Sequence, residues 1–190
     1  MPTTVHEVAT TQFQSILQSW IQQGDGNGNY PVMCTLGASV RGTTGKTKRP
    51  DCSWVPAHTG LSTHYPSIIV EVAWTETRKK LENDMQWWLT KTDGQVNVVL
   101  SVTVQRRGKI IVEEWGIKRN SVVPVQTMQI VRKPASNDQK VEGHLSLNFE
   151  DIHRRQKTQG NTDFVLTPDG LERMAKGIWI AQDRKLDSGV

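Results

Sequence analysis

Apolar positions along the chain recur in two rhythms, and these lay out its elements. Between residues 5 and 21 they are Val5, Val8, Phe13, Ile16, Leu17, Trp20 and Ile21. The last five fall at helical spacing, so an amphipathic first helix is predicted. The glycines and asparagines of 24–29 end it. They lack the helix-bounded spacing and closing glutamate of a calcium-binding EF-hand, and they read as a plain loop. Residues 30–40 read as a strand, 41–49 as a basic glycine-containing turn and 51–55 as a short strand. The nearly continuous apolar run at 67–74 predicts a longer, central strand covered on both faces.

Helical spacing then returns. Thr75 offers an N-cap, Glu76 a first-turn acid within reach of Lys80, and Leu81, Met85, Trp88 and Leu89 form one apolar stripe closed by Asp93 and Gly94. Alternation at 96–104, a turn at 106–108 and the run 110–115 predict a β-hairpin. A further strand is expected at 123–131, a polar loop at 133–140 and a short strand at 144–149. Thr167 and Pro168 open a last helix, with Leu171, Met174, Ala175, Ile178 and Trp179 on its buried face. The expected fold class is α+β (α/β), a mixed central sheet flanked by helices. One domain is expected over residues 1–190, with a core of about 5–131 and a C-terminal appendage of about 141–182.

Composition narrows the picture only a little. A chain of 190 residues buries roughly 70% of its unfolded surface and needs no disulfide. Cys34 and Cys52 are too few for a zinc cluster, so reduced, half-buried thiols are expected. Residues 1–7 carry neither the basic start nor the apolar core of a secretory signal, and no stretch approaches the ~20 apolar residues of a membrane span. An intracellular location, cytoplasmic or nuclear, and no membrane partner are expected. The net charge of +4 is compatible with a polyanionic partner without demanding one. The triplet Gly45, Lys46, Thr47 is not a phosphate loop: position 40 is valine where a glycine is needed, and Pro50 stands where a helix should begin.

The candidate chemistry lies in two acids. Glu71 interrupts the apolar run, and an isolated buried carboxylate costs several kcal/mol. Asp51 follows Pro50, twenty positions earlier. Two carboxylates on neighbouring strands repel each other, and a hard divalent cation such as Mg²⁺ or Mn²⁺ relieves that repulsion while acting as a Lewis acid. The plainer readings are an aspartate that shapes a turn and a glutamate that faces solvent or pairs with arginine.

The order of helix, strand, Asp-bearing strand, Glu-bearing strand, helix and hairpin resembles the PD-(D/E)XK restriction-endonuclease-like superfamily. With Glu71, Val72, Thr75, Glu76, Leu81, Asp84, Trp87, Trp88, Leu89, Gly94 and Val96 in sequence, the chain is similar to an uncharacterised fungal group within it. Residues 50–115 carry the resemblance. It implies a restriction-endonuclease-like sheet, a metal-dependent nuclease hydrolysing phosphodiester bonds, and Mg²⁺ (or Mn²⁺) held by Asp51, Glu71 and the backbone carbonyl of Val72. It also implies a lysine two residues after the glutamate, where this chain has Ala73.

Some relatives supply that lysine from the following helix. At about 100° per residue, Lys79 points away from the apolar stripe while Lys80 and Arg78 flank it, which makes Lys80 the candidate; its ordinary alternative is a surface pair with Glu76 or Asp84. Glu7 on the first helix is a further acidic candidate by resemblance, and a solvated helix-start glutamate otherwise. His58 and His64 read as loop residues. Trp20, Trp88 and Trp179 read as core; Trp74 is left unassigned, and Trp87, off the helix stripe, is left for a partner contact. The implied partner is nucleic acid, DNA first, with a homodimer where both strands of a duplex are cut. The alternative is a catalytically inactive nuclease-fold module that binds nucleic acid or protein.

Overall fold

The computed structural model describes residues 4–24, 32–57, 65–74, 76–132 and 140–187. In chain order the elements are α1 (Thr4–Gly24), β1 (Val32–Cys34), β2 (Val40–Arg41), β3 (Thr47–Lys48), β4 (Cys52–Pro56), β5 (Ile68–Ala73), α2 (Arg78–Thr90), β6 (Val98–Val104) and β7 (Ile110–Lys118). They continue with β8 (Ser121–Val131), β9 (Lys140–His144), β10 (Ser146–Leu147), α3 (Phe149–His153), β11 (Phe164–Val165) and α4 (Pro168–Asp187).

Seven strands form one mixed sheet in the order β1, β4, β5, β6, β7, β8, β9, beside the small ribbons β2–β3 and β10–β11. The fold is α+β, as the sequence predicts. β5 and β6 are the one parallel pair in the large sheet, joined through α2; every other neighbour runs antiparallel. All six residues of β5 are buried, which is why its sequence is apolar apart from Glu71 and shows no polar alternation.

The two faces bury different cores. α1, α3 and α4 cover one of them. α1 contributes Val5, Ala9, Phe13, Leu17 and Ile21 at four-residue steps, and these pack with Val70, Val72, Leu100, Met174 and Ile178. Residues 145–181 share that core with α1 and the sheet. The other face carries α2, whose Leu81, Met85 and Trp88 meet Ile69, Ala73, Val99 and Trp115. Among the described residues, no helix is long and apolar enough to cross a membrane.

Several local expectations are corrected. The strand expected at 30–40 is two short strands, because the chain turns at Leu36, which adopts φ 50. The basic turn 41–49 is a hairpin, with Val40 opposite Lys48 and Arg41 opposite Thr47. α2 starts later than expected: Thr77 is the N-cap and its side chain accepts the Lys80 N–H, so Glu76 precedes the helix. Thr75, most of the 24–29 and 133–140 loops, His58 and His64 lie outside the described residues. The strand expected at 144–149 is divided among the end of β9, β10 and the start of α3. α4 opens as predicted, with Thr167 Oγ1 accepting the Gly170 N–H at 3.1 Å.

Candidate functional site

Asp51 and Glu71 meet where β4 and β5 part. The two strands pair from Trp54 opposite Ile68 to Cys52 opposite Val70. One further step of that register sets Asp51 opposite Glu71, but the ladder stops there. Pro50 has no N–H to offer, and the Val72 N–H that a continuing strand would satisfy is taken by Asp51 Oδ2 at 2.7 Å. The Asp51 carboxylate thus replaces a ladder bond and pins the end of β4 against β5. His6 of α1 reaches the same oxygen from the other face of the sheet, Nε2 to Oδ2 at 3.2 Å. That hydrogen bond, against the opposing effect of burial, holds the His6 imidazole above its ordinary pKa.

Glu71 points to the α2 face, and its Oε1 takes both of the contacts found there. Trp88 Nε1 donates to it at 2.6 Å, and Lys48 Nζ lies 3.0 Å away. Lys48 also reaches Asp84 Oδ1 at 2.7 Å, so one ammonium bridges the strand glutamate and a helix aspartate. Burial pushes the Glu71 carboxyl up to about 7, with Asp51 adding to the rise while Lys48 and Trp88 oppose it. Burial pulls Lys48 down, but the two carboxylates outweigh it and the ammonium is held above its ordinary pKa.

The β2–β3 hairpin delivers Lys48. Its Gly42 packs so closely on α2 that a Cβ there would stand 2.9 Å from Trp87 Cζ2 and 2.8 Å from the Lys91 carbonyl oxygen. The Thr43 N–H donates to that same carbonyl at 2.8 Å. Trp87 therefore serves as the platform on which the hairpin rests, in place of the partner contact its off-stripe position suggested. On α2, residues 80, 84 and 88 follow at four-residue steps, which places Lys80, Asp84 and Trp88 along one line of the helix. Lys80 Nζ lies 2.5 Å from Glu76 and 3.4 Å from Asp84. Charges therefore alternate along the run Glu76, Lys80, Asp84, Lys48, Glu71.

The lysine on Glu71 is thus Lys48, and Lys80 stands one carboxylate further out as an exposed member of the network. Ala73 is buried in the α2 core and leaves the cation to come from another element. Glu7 is exposed; its neighbour His6 is the α1 residue at the site. Sequence reading missed Lys48 because it lay within an apparent turn, and missed His6 because its role depends on how α1 crosses the sheet. The basic character of 41–49 was the available signal for Lys48.

A second buried carboxylate shares the row. Glu71 lies opposite Ser101, Ser101 opposite Glu113, and Glu113 opposite Thr127 across β5 to β8. Arg78 holds Glu113 with a two-pronged contact at 2.6 and 3.2 Å and stacks 4.6 Å from the Trp115 ring. Each buried acid on this face is therefore matched by its own cation.

The oxygen-rich set of Asp51, Glu71 and the Val72 carbonyl suits Mg²⁺ or Mn²⁺ by donor type. Asp51 Oδ1 and Glu71 Oε2 accept no hydrogen bond from the described residues. Among the described residues, no group of three or more His, Cys, Asp and Glu side chains is gathered as a metal cage. A metal here would rest on two carboxylates, a backbone carbonyl and water. No protein-family model matches this sequence, and comparison with functionally curated proteins gives no significant match.

Proposed function

We propose that this protein is a divalent-metal-dependent phosphodiesterase acting on nucleic acid, with Asp51 and Glu71 as its acidic pair and Lys48 as the cation beside them. The observation that carries this reading is the Lys48 ammonium 3.0 Å from Glu71. The resemblance to the PD-(D/E)XK superfamily implies a lysine at that carboxylate, and the chain supplies one from β3 although position 73 is alanine. Mg²⁺ or Mn²⁺, when bound, would supply Lewis-acid charge for the phosphoryl oxygens and a more acidic water.

Each residue then has a defined task. Asp51, fixed by the Val72 N–H, would be one carboxylate holding the metal. Glu71 would be the other, with its rotamer held by the Trp88 indole N–H. Two donors of Lys48 are used on Glu71 and Asp84, which leaves its third for a phosphate oxygen. DNA is the first substrate to try, and two copies would be needed where both strands of a duplex are cut together. Free thiols at Cys34 and Cys52 suit a reducing compartment, cytoplasm or nucleus.

One observation favours a second reading, a catalytically inactive nuclease-fold module. Asp51 and Glu71 already have protein partners, the His6 imidazole and the Lys48 ammonium, so both acids are engaged without a metal. Cleavage of single- and double-stranded DNA and RNA in Mg²⁺ or Mn²⁺ separates the two. The enzyme reading expects Asp51→Asn, Glu71→Gln and Lys48→Met each to lower the rate about 10²-fold or more, as removal of a transition-state charge partner does. Lys80→Met should stay within about threefold, as an exposed pair outside the site. Cleavage indifferent to Asp51→Asn and Glu71→Gln refutes the assigned site. Metal-independent binding by a wild type that cleaves none of these substrates establishes the module.

A further inference from the structure

Both cysteines of the chain lie on the α1 side of the sheet, at the end of β4 that carries Asp51. β1 and β4 pair antiparallel with Cys34 opposite Trp54, so Cys34 and Cys52, two positions apart in register, share a face. Their Sγ atoms are 3.5 Å apart and both are free thiols. Cys52 is fully enclosed, while Cys34 keeps partial solvent access. Gln14 of α1 donates its amide to Cys34 Sγ at 3.4 Å, so the outer sulfur meets both this amide and the Cys52 thiol.

We propose that Cys34 and Cys52 are a hydroperoxide-reactive dithiol, with Cys34 as the attacking sulfur and Cys52 as the resolving one, closing to a disulfide between β1 and β4. Cys34 is the sulfur that solvent reaches, and its thiolate form is the nucleophile. In the first step the Cys34 thiolate attacks one peroxide oxygen. The O–O bond breaks, hydroxide leaves and takes a proton to become water, and Cys34 carries a sulfenic acid. In the second step Cys52, giving up its proton, attacks the Cys34 sulfur; the S–O bond breaks and a second water departs. Two thiols lose two electrons in total, and one hydrogen peroxide becomes two waters. A small thiol such as glutathione reverses the change by exchange.

Bond formation must bring the sulfurs from 3.5 Å to about 2.05 Å. Side-chain rotation and the three-residue edge strand β1, paired on one side only, can absorb that movement. Cys52 directly follows Asp51, so the new bond constrains the strand end that presents this carboxylate.

The test uses the reduced full-length protein and hydrogen peroxide, and it does not depend on any nuclease activity. Wild type should lose both titratable thiols and about 2 Da as a monomer, with 34 and 52 joined in peptide maps and both thiols restored by glutathione. Cys52→Ser should halt at a Cys34 sulfenic acid trapped by dimedone, and Cys34→Ser should react at least tenfold more slowly than wild type. Retention of both thiols under peroxide that fully oxidises free glutathione overturns the proposal. So does oxidation of wild type to sulfinic acid or to intermolecular disulfides without the 34–52 link. If either serine variant is misfolded, the peptide map and thiol recovery of wild type decide alone.

Discussion

Glu71 shows at the scale of one residue how this fold tolerates an acid inside a strand. Burial favours its neutral form, while Lys48 and the Trp88 indole favour the carboxylate, and the balance lies near neutrality, at about 7. A carboxyl raised from 4.5 to about 7 binds more proton in the folded than in the unfolded chain between those values. Its contribution is therefore fully present below pH 4.5 and is lost as pH rises through about 7. The interval corresponds to roughly 3 kcal/mol as an upper bound. Glu71→Gln keeps an acceptor for Trp88 and removes the titration. The difference in unfolding free energy between wild type and Glu71→Gln, measured by denaturant titration from pH 4 to 8, should decline by about 2–3 kcal/mol as pH rises. A flat difference would mean that Glu71 titrates in the folded protein as it does in the unfolded chain. A divalent ion coordinated by this carboxylate would favour its ionised form and flatten the decline.

At the scale of elements, the β2–β3 hairpin has the least intrinsic stability of the pieces around the site. Two residues a side cannot hold a hairpin alone. It persists because Gly42 lies against Trp87 and Lys91 and Thr43 bonds to the end of α2. Gly42→Ala places a methyl group within 3 Å of both neighbours and should cost about 1–3 kcal/mol. Under the phosphodiesterase reading it should also lower cleavage in parallel with Lys48→Met, since displacing the hairpin withdraws Lys48 from Glu71. Full activity in a destabilised Gly42→Ala would separate the hairpin from the site. The same hairpin marks where the sequence stopped being legible. α1, α2 and α4 were readable because each carries its own periodicity and buries its own stripe, and β5 because its nearly unbroken apolar run marks a strand covered on both faces. The hairpin, the late start of α2 at Thr77 and the short β10 and β11 were not. The short strands are held by contacts with other elements and leave no repeat to detect, while the start of α2 turns on which threonine caps it, a local contact to the Lys80 N–H.

Across the whole molecule, topology turns a separation of twenty positions into neighbouring places at the ends of β4 and β5. The pairing of β4 with β5 was implied by the order of elements, so the meeting of Asp51 and Glu71 was legible. The convergence of His6 from one face and Lys48 from the other was not, because which helix covers which face is decided by packing. That convergence leaves an asymmetric charge pattern. The segment 41–49 holds Arg41, Lys46, Lys48 and Arg49 with no acid. Lys48 is occupied by Glu71 and Asp84, and the Arg49 Nε donates to the Gly37 carbonyl at 2.9 Å. Arg41 and Lys46 are exposed and form no salt bridge among the described residues. Two outward cations on an arm whose third reaches the acidic pair would set a phosphate backbone beside Asp51 and Glu71. Each phosphate contact releases condensed counterion, so log K should fall with log salt by about 0.7–0.9 per contact. With Asp51→Asn as background and no divalent metal, binding to single-stranded and duplex DNA should weaken steadily with salt. Arg41→Gln combined with Lys46→Gln should make that slope shallower by about 1.4–1.8. An unchanged slope would remove the hairpin from the nucleic-acid path whether or not the acidic pair cleaves. A shallower slope without cleavage would assign the arm to binding and leave the inactive-module reading in place.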